Sequence, residues 1–360
     1  MTGITIRGSD TVAALKGFSM RERAAKEGWS MIIVTGGAGL IGSAVIENLN
    51  RAGRTDILVV DHLGRSDKWR NLSALRFEDY LEKDVFEKLL DSASVSGRLS
   101  GNRRLEAIIH LGACSATTEM DATYLVKNNF EYSRKLALAA LAADARFIYA
   151  SSAATYGDGE HGFADDEQQL SQLRPMNMYG YSKQLFDLWA QRRGILDRIV
   201  GIKYFNVFGP NEHHKGEMRS LVLKAYEQVG ATGALRLFKS YRPEYDDGEQ
   251  VRDFVYVKDA AAMTLHFLEN TDAGGIFNVG GGSTVSWNRL ARAVFSAMGK
   301  PVTIEYIDMP ESIRDTYQYH TCADISRIRA AGYTDGISSV EEAVEDYVCR
   351  YLIPGRRLGD

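Results

Sequence analysis

Short runs of apolar residues, unbroken by the alternation of a one-sided strand, recur between helix-period stretches and constrain this chain more than any other feature. They are Ile32-Ile33-Val34, Ile57-Leu58-Val59-Val60, Ala107-Ile108-Ile109-His110-Leu111, Phe147-Ile148-Tyr149-Ala150 and Ile199-Val200-Gly201-Ile202. Strands that are apolar on both sides are covered on both faces. Between them Ile41, Val45 and Leu49 repeat at helical spacing, and residues 124–143 and 182–193 read as helices. Strands alternating with helices predict a parallel sheet wrapped by helices. The predicted fold class is α/β: a doubly wound parallel sheet, Rossmann-like, from Met31 to about Asn206, with a smaller C-terminal lobe closing over the carboxyl edge of the sheet.

Composition narrows the function classes. Lys and Arg total 43 against 47 Asp and Glu, a formal charge of -4 with no long like-charge block, which argues against a nucleic-acid groove or a polybasic membrane surface. No apolar run approaches the roughly 20 residues of a spanning helix. Cys114, Cys322 and Cys349 are odd in number and far apart, so neither a disulfide scaffold nor a Cys-x-x-Cys metal knuckle is expected. No metal is predicted, His213-His214 reading as a loop pair, and the default compartment is the reducing cytoplasm.

Thr35-Gly36-Gly37-Ala38-Gly39-Leu40-Ile41-Gly42 follows the first strand and opens a helix, with Gly36, Gly39 and Gly42 at G-x-x-G-x-x-G spacing. Such glycines allow a tight turn and a close approach of backbone to a pyrophosphate, which then meets free N–H groups at the helix start. Asp61 closes the second strand roughly twenty residues on, where an acid meets adenosine ribose hydroxyls. Asp61 alone favours NAD over NADP, yet His62, Arg65, Lys68 and Lys83 follow it and supply positive charge. These residues leave the phosphorylation of the dinucleotide open.

Tyr179-Gly180-Tyr181-Ser182-Lys183 places a tyrosine and a lysine four apart, on one helix face. A phenol is a poor base at neutral pH, and lowering its pKa by about 3 units requires about 4 kcal/mol. A neighbouring ammonium and an oxidised nicotinamide both favour the phenolate. The same lysine can bridge to the nicotinamide ribose, and Ser151-Ser152 ends a strand where a hydroxyl can hold the substrate oxygen. The implied organisation is a peripheral N-terminal extension at 1–30, a dinucleotide-binding domain at 31–205 with 250–280 contributing, and mainly a substrate-binding lobe at 206–360. Within the extension, residues 13–27 have a thin helical face, and Met31 is the expected start of the working chain. Past Pro210 the regularity weakens; Asp253-Phe254-Val255-Tyr256-Val257 reads as a strand before a helix, Phe277-Asn278-Val279-Gly280-Gly281-Gly282 as a loop, and residues 287–298 as a helix.

Taken with Tyr204-Phe205-Asn206-Val207-Phe208-Gly209-Pro210 and Arg252-Asp253-Phe254-Val255-Tyr256-Val257-Lys258-Asp259, these motifs resemble the nucleotide-sugar branch of the extended short-chain dehydrogenase/reductase family. Gly112-Ala113-Cys114-Ser115-Ala116-Thr117-Thr118-Glu119, Ser151-Ser152-Ala153-Ala154-Thr155-Tyr156-Gly157 and His214-Lys215-Gly216-Glu217-Met218 are similar to its epimerases of ADP-linked heptose, from Met31 to about Leu352. The resemblance implies inversion of C-6″ by transient oxidation and reduction with bound NADP in preference to NAD. It further implies a precursor of the lipopolysaccharide inner core as product, and a homo-oligomer, a ring of five subunits.

Carried over by motif, the catalytic positions are Tyr179, Lys215, Lys183 and Ser152, with Tyr179 and Lys215 as two bases on opposite sides of the sugar. Cofactor positions are Gly36, Gly39, Leu40, Ile41, Gly42, Asp61, His62, Lys68, Lys83, Leu111, Gly112, Ala113, Cys114, Ser115, Asn128, Lys183 and Val207, with Lys68 and Lys83 offsetting Asp61 and holding a 2′-phosphate. Substrate positions are Ser152, Asn206, Glu217, Lys224, Phe238, Lys239, Ser240, Tyr241, Arg252 and Tyr317. Glu217 replaces a usual serine, Lys224 a usual histidine and His62 a usual asparagine, and Arg242 to Glu249 read as an acidic insertion beside the ADP pocket. Two other classes fit the same residues: a nucleotide-sugar 4-epimerase or reductase using Tyr179 alone, and a non-catalytic dinucleotide-binding scaffold.

Overall fold

Residues 30–91, 104–314 and 317–360 are described by a computed structural model; the expected extension, with its helical face at 13–27, lies outside them except for Ser30. Strand β1 (Ser30–Thr35) has Ile32, Ile33 and Val34 without solvent exposure. It sends alternate side chains to opposite faces, as a pleated strand must. Ile32 and Val34 join the core that holds Val45 and Leu49 of helix α1 (Leu40–Arg51), while Met31 and Ile33 join Leu136 and Phe186 on the other face.

The sheet continues with β2 (Ile57–Asp61), β3 (Asp79–Glu82), β4 (Arg104–His110), β5 (Arg146–Ser152) and β6 (Val200–Tyr204). All pair in parallel, in the order β3-β2-β1-β4-β5-β6 with a seventh strand beyond β6. The chain direction of progress reverses between β1 and β4, and a crevice opens at their carboxyl ends at such a switch point. The seventh strand, β11 (Gly275–Val279), lies in the segment read as a loop from Phe277 onward. Ile276 and Phe277 are buried against the sheet's two faces, and Asn278 N–H donates to Asp165 Oδ2 (2.8 Å), so the run is a covered strand and only Gly280-Gly281-Gly282 is loop.

Between these strands lie α2 (Lys83–Asp91), α3 (Tyr132–Ala142) and α4 (Met178–Arg192). A single helix was expected over 124–143, but the π turn Val126–Glu131 interrupts it. Helix α4 starts where Asn177 Oδ1 accepts from Gly180 N–H (2.8 Å), earlier than the predicted 182. The remainder contributes β7 (Asn206–Phe208), α5 (Leu221–Thr232), β8 (Leu235–Phe238), β9 (Val251–Arg252), β10 (Phe254–Tyr256), α6 (Val257–Glu269), β12 (Val285–Ser286), α7 (Trp287–Ala297), β13 (Ile304–Ile307) and α8 (Val340–Tyr347). Among the described residues three two-stranded sheets, β7 with β10, β9 with β12 and β8 with β13, stand beside the main sheet. Val257 opens α6, where the sequence pattern had continued a strand. Asp253 is the pin between these pieces: its carboxylate accepts from Gly281 N (2.6 Å), Gly282 N (3.0 Å) and Ala323 N (2.9 Å).

Candidate active site

The glycine turn leaves backbone where a side chain cannot go. A Cβ on Gly36, whose φ is +69°, would lie 2.6 Å from Gly112 N, and one on Gly42 would lie 2.1 Å from Gly36 O. Gly39 caps α1 with no side-chain bond, so the first N–H groups of the helix face the cleft uncapped by any carboxylate. That is a cradle fitted to a pyrophosphate. Asp61, buried at the end of β2, accepts from Ala38 N–H (2.8 Å) and His62 N–H (2.7 Å) and pairs with Lys68. The pairing offsets the carboxylate's charge at the place where the adenosine ribose would lie.

All of these groups open onto one cleft of about 810 Å³ at the carboxyl ends of β1, β4 and β5. Every expected cofactor position lies on its wall, namely Gly36, Gly39 to Gly42, Asp61, His62, Lys68, Lys83, Leu111 to Ser115, Asn128, Lys183 and Val207. Lys83 donates to Asn128 Oδ1 and stands 4.9 Å over the Tyr132 ring, and burial lowers its pKa. The His62 imidazole points largely to solvent and sits 3.3 Å from Glu82.

Tyr179, Ser152, Lys183 and Lys215 line the same cleft. Burial raises the Tyr179 pKa, opposed by a hydrogen bond from Ser152, with Cys114 adding to the rise. The phenol is therefore higher than an ordinary tyrosine, where the sequence reading had the ammonium bringing it down. Burial outweighs the opposing contributions there; Lys183 Nζ donates to the Ala150 carbonyl (2.8 Å), and burial brings its own pKa down to about 8. Lys215 comes from the turn His213–Met218, kinked at Gly216. Burial lowers its pKa and Glu212 opposes the fall. Glu212 is held without exposure by Ser220 N–H and Oγ, both at 2.6 Å.

The expected substrate positions divide. Ser152 and Asn206 are on the cleft wall, and Asn206 Nδ2 donates to Asp253 O (2.9 Å). Arg252 stacks 5.8 Å from Trp287 and 5.2 Å from Tyr317, and Trp287, itself on the wall, donates to the Tyr317 hydroxyl (2.8 Å). Phe238 ends β8 and Lys239, Ser240 and Tyr241 follow it, none of them on the wall; Lys239 and Tyr241 both meet Asp308 Oδ1, at 3.2 and 3.0 Å. Glu217 and Lys224 pair with each other at 3.5 Å, the glutamate almost fully exposed. In the acidic insertion Asp247 accepts from Ser240 N (2.7 Å) and Glu249 from Asn288 Nδ2 (2.7 Å), while Glu244 and Asp246 are exposed, so these acids are tied within the lobe or turned to solvent.

Asn129 and Asn71 carried no readable signal, whereas His110 reads from the sequence as a packed core residue and is one. Asn129, in the π turn, donates to Cys114 O and accepts from Cys114 N, both at 2.9 Å, and donates to Ser182 Oγ (2.9 Å). An inserted residue in a helix re-aims such a side chain, and its neighbour Asn128 was the only hint. His110 is buried between Thr35 Oγ1 (2.6 Å) and Ser133 Oγ (2.8 Å), and burial holds its pKa well below the usual value. Asn71 Nδ2 meets Ala38 O (2.9 Å), Asn211 O (2.9 Å) and His214 Nδ1 (3.2 Å), and its Oδ1 accepts from Arg357 Nη1 (2.6 Å). Among the described residues no three His, Cys, Asp or Glu side chains gather as a metal would need, and no helix is long and apolar enough to cross a membrane.

Residues 32–280 match the NAD dependent epimerase/dehydratase family. An ADP-L-glycero-D-manno-heptose-6-epimerase of Nitratidesulfovibrio vulgaris is 52% identical over 322 residues, covering 89% of this chain and 98% of that protein. One from Fusobacterium nucleatum is 45% identical over 331 residues, with 89% and 98% covered. Among solved structures, the Helicobacter pylori protein of that name superimposes with a TM-score of 0.72 at 24% identity, over 89% of this chain and 95% of its own, a likeness of fold.

Proposed function

The chain belongs to the NAD-dependent epimerase/dehydratase family, and from that premise we propose that it inverts C-6″ of ADP-glycero-manno-heptose. The observation that carries the reading is the presence of Tyr179 and Lys215 on one cleft wall set, from separate elements, in a chain about half identical to proteins named for that reaction. A bound nicotinamide dinucleotide supplies the transient removal and return of hydride at the carbinol carbon. The protein supplies the rest. The glycine cradle and the start of α1 would hold the pyrophosphate, and Lys183 would anchor the ribose side while adding positive charge near Tyr179.

Inversion needs a proton moved at the C-6″ oxygen in two orientations of the sugar. In one, Ser152 holds the oxygen and Tyr179 exchanges its proton; in the other, Lys215 does so from the turn between β7 and α5. Each group suits both directions. The buried phenol is a ready acid, and the positive charge of an oxidised nicotinamide lowers its pKa toward that of a base. The Lys215 ammonium, already lowered by burial, gives or takes a proton more readily than a solvated lysine. The dinucleotide is NADP in this reading, supported by the neutralising Lys68 contact on Asp61 and by Lys83 on the same wall. The substrate lobe, the reducing cytoplasm, a ring of five subunits and delivery of product to the lipopolysaccharide inner core belong to the same reading.

The test is direct. Purified protein incubated with ADP-heptose interconverts the two C-6″ epimers, followed by NMR. No inversion with intact bound cofactor refutes the reading, and inversion at C-4″ of a different nucleotide sugar redirects it. Denaturing the protein and weighing what it releases distinguishes NADP from NAD.

A further inference from the structure

Below the Tyr179 and Lys183 side chains lies a buried charge cluster for which the reaction above has no use. Asp187 continues the same face of α4, four positions past Lys183. It has no solvent exposure, and its carboxylate accepts from Tyr149 OH on Oδ1 (2.9 Å) and Ser151 Oγ on Oδ2 (2.7 Å). Lys203 of β6, also without exposure, stands 3.5 Å from the same Oδ2. Lys203 donates in addition to Thr155 Oγ1 and lies 4.6 Å from the Tyr156 ring, and Thr155 Oγ1 donates back to Ser152 O (2.8 Å). One carboxylate thus serves two buried ammonium groups, in contact with Lys203 and through space with Lys183.

In a medium of low polarity an excess cation is costly, and the ammonium held less well loses its proton first. Lys203 has the carboxylate and a hydroxyl; Lys183 donates to the neutral carbonyl of Ala150. We propose that Asp187 is a positioning residue that keeps Lys183 charged, that Lys203 competes for that support, and that the two together set the upper pH limit of the tyrosine–lysine pair. This rests on the catalytic reading of Tyr179 and Lys183. The direction of Lys183's shift agrees: burial pulls its pKa down, Asp187 foremost and then Cys114 push back, and it comes to rest at about 8. The groups that couple electrostatically to Lys183 are Asp187 of its own helix, Cys114 of the loop after β4 and His110 of β4, which also feels Lys83; Asp165 couples to Lys203, and Glu167 to Tyr149. His110 is kept neutral by burial and adds no charge.

The experiment measures C-6″ inversion of ADP-heptose by cofactor-loaded protein from pH 6 to 10, with folding checked by circular dichroism. Asp187→Asn moves the alkaline fall of kcat toward acid by about 1 pH unit or more. Lys203→Met moves it toward alkali. The double variant, which leaves neither charge stranded and so guards against misfolding, places the fall between those of the two single variants. A merely structural role lowers kcat at all pH values without moving the fall. An unmoved alkaline limb in folded Asp187→Asn or Lys203→Met, or a folded double variant whose limb does not fall between them, overturns the proposal. Wild-type turnover and pH profile in Lys183→Met would instead refute the catalytic reading beneath it.

Discussion

Gly42→Ala puts one methyl group where the turn has no room. The added Cβ would meet Gly36 O at 2.1 Å and Gly36 C and Gly37 Cα at 2.8 Å, all backbone atoms. Reaching an ordinary contact near 3.4 Å requires α1 and the turn to separate by about 1.3 Å. Overpacking of this kind costs about 1–3 kcal/mol of stability. The larger loss is in binding. Helix N–H groups about 1.3 Å out of place can no longer bond a phosphate, and two lost bonds to a charged group at about 1.5–3 kcal/mol each weaken affinity by about 10² to 10⁴. The assay is calorimetric titration of NADP⁺ into stripped protein, alongside the thermal midpoint. Gly230→Ala is the control, since a Cβ there meets nothing within 4 Å and the position is helical, so it leaves affinity unchanged and stabilises slightly. Wild-type affinity in Gly42→Ala would refute the assignment of this turn as the pyrophosphate cradle.

Tyr179→Phe lowers kcat by about 10² to 10⁴ with NADP⁺ affinity retained, because only the proton-transfer group is lost; unchanged turnover would remove Tyr179 from the mechanism. Asp61→Ala weakens NAD⁺ binding more than NADP⁺ binding, since it deletes the ribose acceptor but frees Lys68 for the 2′-phosphate; titrations giving equal losses would contradict that. His110 is held neutral in the folded state, whereas the unfolded chain's imidazole takes a proton below about 6.5, so its contribution to stability is present above that pH and is lost as pH falls. Urea unfolding at pH 7.5 and 5 therefore shows a smaller acid loss for His110→Gln than for the wild type, and an equal loss would show that another group carries it.

The sheet was legible where burial on both faces forced an unbroken apolar run, as in β1, β2, β4, β5 and β6. It was illegible at β3, whose Asp79-Tyr80-Leu81-Glu82 is an exposed edge needing no such run, and at β11, whose flanking glycines outweighed its apolar pair. The site was legible where chemistry demands fixed local spacing, as in the glycine turn and the tyrosine–lysine pair. It was hidden where function passes through tertiary contact. Asn129 depends on a π turn for its aim, and Lys203, one residue past the apolar run read as a strand, gets its buried partner Asp187 from another element. The Tyr179 phenol shows a subtler gap: helical spacing brought Lys183 to the right face but could not show its ammonium turning to Ala150.

The amide of Asn71 joins partners made at very different times. Its bond with Asn211 spans 140 positions and its bond with Arg357 spans 286. A nascent chain has its glycine turn early, but the brace behind Ala38 is complete only once Arg357 has been made. Contacts this distant form late and slowly. A half-made molecule is thereby a poor trap for the dinucleotide, and a change at Arg357 would be felt, through Asn71 286 positions away, at the nucleotide loop.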